Sequence, residues 1–77
     1  MESTLDRAKR IIAVQLDRDE EDIRPQTELE EDLGADPVDL EALLMAVEEE
    51  FDFTISERAV RGFKTVGDVV RYIDENL

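Results

Sequence analysis

A chain of 77 residues that is 42% hydrophobic but only 5% aromatic, with no tryptophan, can build one small core from Leu, Ile and Val on amphipathic elements. Its 22 acidic residues against 9 basic ones give a formal net charge of -13, which repels phosphate backbones and anionic membranes and so excludes nucleic acid as a natural partner. Cysteine and histidine are both absent, which removes disulfides, thiolate metal sites, thiol nucleophiles and the commonest general base.

Hydrophobic spacing predicts a first helix over residues 4 to 16, capped by Ser3 or Thr4. Leu5, Ala8, Ile11 or Ile12, and Leu16 fall on one face of it. From Asp17 to Ala35 the helical period fails and Pro25 blocks a continuous helix. Ile23, Leu29 and Leu33 are isolated apolar anchors there, so this long connection is expected to be held by its own packing.

A second helix is predicted over residues 37 to 50. Asp36 can cap its free N–H groups, Pro37 at the first helical position loses only an N–H without an intrahelical partner, and Asp39 sits where a capping box needs its acid. Leu40, Leu43, Leu44, Val47 and Phe51 form its apolar stripe, with Asp39, Glu41, Glu48 and Glu49 on flanking or opposite faces. A short third helix follows from Ser56 to Val60, capped by Ser56 and ending before Gly62, with Phe63 as a core plug. Thr65 then caps a last helix over 66 to 75, completed by Asp68. Val66, Val69, Val70, Ile73 and Leu77 are assigned to its inward face.

These elements add up to one all-α domain over residues 1 to 77: a small four-helix bundle of three longer helices and one short one, with a long loop between the first two. No apolar run approaches the roughly 18 residues of a membrane span, and the opening MESTLDRAKR lacks the apolar stretch of a signal peptide, so a soluble, cytoplasmic monomer is expected.

TELEEDLGAD, LLMAVEEEFDFTI and KTVGDVVRYI resemble the sequence of acyl carrier proteins around their second, third and fourth helices, and the likeness covers nearly the whole chain. The resemblance implies a non-enzymatic carrier of fatty-acid or polyketide type. In that family a serine in a D-S-L motif at the start of the second helix holds a phosphopantetheine arm. Aligned on EDLGAD, that serine falls on Pro37 and the leucine after it on Val38. Proline has no hydroxyl, so no phosphodiester can form there. The other hydroxyls considered, Thr27 in the loop and Ser56 and Thr65 as caps, lie outside any D-S-L context. Where the family often reads D-S-L-D-x-V-E-L this chain reads DPVDLEAL, which moves an acid from the position of Ala42 to Glu41, about 100° around the helix.

Two readings follow from the resemblance. In one, the chain is a carrier-like module without a cofactor, docking on a basic surface of an acyl-chain-processing partner through Asp36, Val38, Asp39, Glu41, Met45, Glu48 and Glu49. In the alternative, it is a genuine acyl carrier whose attachment serine has been substituted by Pro37, with phosphopantetheine as the cofactor of the parent form. Asp17, Asp19, Glu21 and Glu28 occupy positions of a calcium-loop template, but Asp22 stands where such a loop needs glycine and Pro25 intrudes. No specific metal site is expected, only loose divalent binding at Asp17, Asp19 and Glu21. An enzyme is not expected either, because acid pairs are unavoidable in a chain with this many carboxylates.

Overall fold

The structure is a computed structural model that describes residues 2–77. Four helices, α1 (Thr4–Leu16), α2 (Pro37–Phe51), α3 (Glu57–Arg61) and α4 (Val66–Asn76), enclose one apolar core, with a single 3-10 turn at Glu20–Asp22 in the long connection. Among the described residues the extended backbone amounts to one isolated antiparallel bridge, Glu28 to Thr65. The predicted all-α bundle is the observed one.

Three of the four helices begin with a reciprocal capping box, in Ser3 with Asp6, Asp36 with Asp39, and Thr65 with Asp68. Each satisfies orphan N–H groups at the helix start and places a carboxylate at the positive end of the helix dipole. The ends follow less common rules. α1 and α2 stop at Asp17 and Asp52, both left-handed, at φ 54° and 56°. Asp and Asn tolerate this conformation better than other side chains, but no sequence period announces it.

Ile12, Leu43, Val47, Val66, Val69 and Ile73 are buried in the core, and Ile23, Leu29 and Leu33 of the long connection are buried with them. The connection is therefore a folded layer. Its backbone docks on the start of α4: Val66 N–H donates to Thr27 O (2.9 Å), Leu29 N–H to Lys64 O (2.9 Å) and Gly67 N–H to Pro25 O (2.8 Å). A Cβ on Gly67 would lie 3.0 Å from Pro25 O, so the close approach of the two segments favours glycine there. Thr27 is buried as well, with its hydroxyl accepting from Arg24 N–H. Leu77, assigned to the inward face of the last helix, is instead 69% exposed. α4 ends at Asn76, so Leu77 lies past the last turn and has nothing to pack on.

The α2 C-terminus carries Glu48, Glu49 and Glu50 and no basic residue in its last turn, against the preference of the helix dipole. Arg7 of α1 offsets this in part. Its guanidinium donates to Glu50 O (3.2 Å) and Glu50 Oε2 (2.8 Å) and lies 4.3 Å over the Phe51 ring.

At the α4 start, Asp68 accepts from Thr65 N–H (3.0 Å) and Lys64 N–H (2.9 Å) and pairs with Arg71 (3.0 Å). The Thr65 and Lys64 backbone bonds, with Arg71 and the Thr65 hydroxyl adding to them, hold its carboxyl below its usual value of 3.8 against a smaller opposing effect of burial. A depressed folded-state pKa means that this contribution is fully present above the ordinary carboxylate range and is lost as pH falls through the lowered value. Asp68→Ala is therefore expected to cost about 1 kcal/mol at neutral pH and to flatten the acid limb of the stability curve, as read from urea melts across pH.

Candidate functional site

The start of α2 is built by local chemistry. Asp36 Oδ1 accepts from Asp39 N–H at 2.8 Å and Asp39 Oδ2 accepts from Asp36 N–H at 3.3 Å, with Pro37 at the first helical position between them. Proline supplies the backbone angle a helix start needs, so the geometry of this turn does not depend on a side-chain oxygen at position 37. Pro37 and Val38 face solvent, Val38 at 73% exposure.

Val38, Glu41, Met45, Glu48 and Glu49 recur at spacings that put them along one stripe of α2. Met45 is 56% exposed, so an apolar strip of Val38 and Met45 runs beside Glu41, Glu48 and Glu49. Asp36 and Asp39 are exposed but stand apart from the stripe, each engaged with the other's backbone. The structure thus brings together five of the seven residues named from the sequence and holds the other two at the helix cap.

Glu48 is only partly surface. Its Oε2 accepts from Ile55 N–H at 2.7 Å, tying the α2–α3 connection to α2, and the side chain is half-buried. Its position on a flanking face of α2 gave no sign of this role, because the contact comes from a turn seven residues away. Glu48→Lys should therefore lower stability by about 1–2 kcal/mol through the unpaired Ile55 N–H, whereas Glu49→Lys, at an exposed position, should fall within about 0.5 kcal/mol of the parent. Thermal melts of the two variants side by side make the comparison.

Between α2 and α3 a groove of about 630 Å³ opens beside Pro37, floored by Leu40, Leu44, Met45, Ile55, Val60 and Phe63. Glu30, Glu41, Glu48, Glu57 and Arg61 form its rim. Sequence reading assigned Leu40, Leu44 and Phe63 to the core and gave no signal of an opening, because a stripe of apolar residues looks the same whether a cleft or a neighbour covers it.

No residue lining this groove carries a hydroxyl or thiol. The hydroxyls elsewhere are largely engaged: Thr27, Ser56 and Thr65 accept from backbone N–H groups, Ser3 caps α1, and Thr4 donates to Asp74. Thr54 is exposed but follows the far end of α2, a helix about 22 Å long that starts at Pro37. Among the described residues no three acidic side chains come together to hold a metal ion, and Asp17, one of the acids of the calcium-loop template, is instead the left-handed cap of α1. Glu28, the last position of that template, pairs with Lys64 (3.8 Å).

Comparison with known proteins adds to this geometry. The phosphopantetheine attachment site (PP-binding) family profile matches residues 6–73. Acyl carrier proteins of the Clostridium perfringens strains SM101 and 13 are each 46% identical over 71 residues, which is 92% of this chain and 93% of theirs. A solved structure of a candidate acyl carrier protein from Mycobacterium tuberculosis superposes with a TM-score of 0.91 at 32% identity, covering 97% of this chain and all of the other.

Proposed function

This chain belongs to the phosphopantetheine-attachment family of acyl carrier proteins, and we propose that it is an armless member: a docking module with the carrier fold and no covalent cofactor. The family consists of carriers rather than enzymes, and no helix among the described residues is long and apolar enough to cross a membrane. The observation that carries the reading is Pro37. It occupies the exposed first position of α2, inside an intact Asp36–Asp39 capping box, and offers no oxygen to a phosphodiester.

Docking is assigned to the α2 stripe of Val38, Glu41, Met45, Glu48 and Glu49, with Asp36 and Asp39 at its amino end. Three consecutive glutamates at the negative end of a helix conflict with local stability, and departures of that kind are expected where function requires them. A Lys- or Arg-rich partner surface would relieve the conflict. The apolar strip between the acids gives such a contact a centre that excludes water. The net charge of -13 opposes self-association and supports a monomer.

The test is intact mass after incubation with coenzyme A and a phosphopantetheinyl transferase. The native sequence is expected to keep its plain mass. Pro37→Ser is expected to gain one phosphopantetheine, because the capping geometry around position 37 is already that of a helix start. Modification of the native chain would overturn the reading.

The 46% identity to Clostridium perfringens acyl carrier proteins favours a second reading, a genuine acyl carrier in which Pro37 substitutes the attachment serine. On that reading Pro37→Ser, once modified, also accepts and delivers acyl groups with the enzymes of its host. On the first it takes the arm but supports no acyl transfer.

A further inference from the structure

We infer that the chain is a dead-end competitor for the enzyme that attaches phosphopantetheine to acyl carriers, slowing their conversion to the loaded form. The inference rests on the armless reading and adds a partner and a regulatory effect to it.

Attachment is a group transfer. A carrier hydroxyl oxygen attacks the coenzyme A phosphorus on the pantetheine side of the pyrophosphate, and a new P–O bond forms as the phosphoanhydride bond breaks. The adenosine bisphosphate half leaves with the electron pair, and the hydroxyl proton passes to a base. With Pro37 at the point of attack there is no oxygen and no proton, so the bond cannot form and coenzyme A stays whole.

What remains at that point is a surface, and the structure keeps it accessible. Pro37 and Val38 are exposed, no described residue covers them, and the Asp36–Asp39 box fixes the backbone of this turn. The acids Glu41 and Glu49 lie exposed on the following turns. A chain that is 46% identical to acyl carrier proteins over nearly its whole length offers an attaching enzyme carrier-like ground-state contacts, departing at Val38 and at the acid moved to Glu41, and withholds the reacting atom. Contacts made equally in ground and transition state bind without accelerating anything, and a ligand that has only those is a competitive inhibitor.

The experiment measures initial rates of loading of the unmodified Clostridium perfringens acyl carrier protein by the phosphopantetheinyl transferase of this chain's own host, at saturating coenzyme A and rising concentrations of the chain. The apparent KM for the carrier should rise linearly with the chain's concentration while kcat stays constant, with an inhibition constant within about tenfold of the carrier's KM. Pro37→Ala should inhibit equally, and Pro37→Ser should be consumed as an alternative substrate. Unchanged rates at a large excess of the chain, or a fall in kcat without a change in KM, would overturn the inference and leave the armless reading standing. So would inhibition by Pro37→Ala with none by the native chain, which would show that the proline ring blocks docking. A gain of mass by the native chain would defeat both.

Discussion

Truncating Ile23 to alanine should destabilise the protein by about 2–5 kcal/mol, as much as a comparable truncation within a helix. The residue lies in the connection between α1 and α2, which sequence convention treats as a loop, and surface loop substitutions fall within about 0.5 kcal/mol. Yet Ile23 has no exposed surface, and it is buried in the same cluster as Ile12 and Val66. Its backbone is fixed on both sides, by the 3-10 turn through Ile23 N–H to Glu20 O (3.1 Å) and by the docking of Pro25 on Gly67. A domain of this size has about 4–12 kcal/mol of total stability, so the substitution removes a large share of it. Urea melts should show a lower midpoint, an unchanged slope and a single transition. A midpoint equal to the parent's would mean that the connection opens independently of the helices.

Reversing Glu41 and Glu49 to lysine should slow association with a basic partner by one to two orders of magnitude at low salt and leave the fold intact. Both side chains are exposed and lie on the docking stripe. Glu48 is left out, because its bond to Ile55 N–H would mix a folding defect into the result. The attraction is a sum over many exposed carboxylates and is screened beyond about 8–10 Å at physiological salt, so the rate of the parent should fall steeply as salt rises and that of the variant should not. Stopped-flow association with the transferase across salt concentrations reads both effects. Equal rates for parent and variant would move the interface off α2.

Much of this was legible because the helix starts are written locally. Asp36, Pro37 and Asp39 specify a cap through chemistry within four residues, as do Thr65 and Asp68, and the apolar stripes of α1, α2 and α4 have helical period. What escaped the sequence was what depends on distant partners. Glu48 reads as a surface acid until Ile55 N–H is seen against it, and Arg7 reads as a solvated cation until it is found on Phe51 and the Glu50 carbonyl of α2. The left-handed Asp17 and Asp52 have no glycine to signal them. Leu77 continued a stripe in the sequence but lies beyond the last turn of α4. The 3-10 turn at Glu20–Asp22 is too short and too acidic to show a period. As for the site, the absence of a hydroxyl at Pro37 needs no structure, whereas the groove beside it does.

The central claim is that the chain works without a phosphopantetheine arm, and the intact mass of the protein purified from its own host tests this most directly. The host supplies its own transferase and coenzyme A at working concentrations, so opportunity for modification is complete. The account predicts the plain mass of the sequence for the whole population. A population heavier by one phosphopantetheine, with the modified residue located by fragmentation, would contradict it.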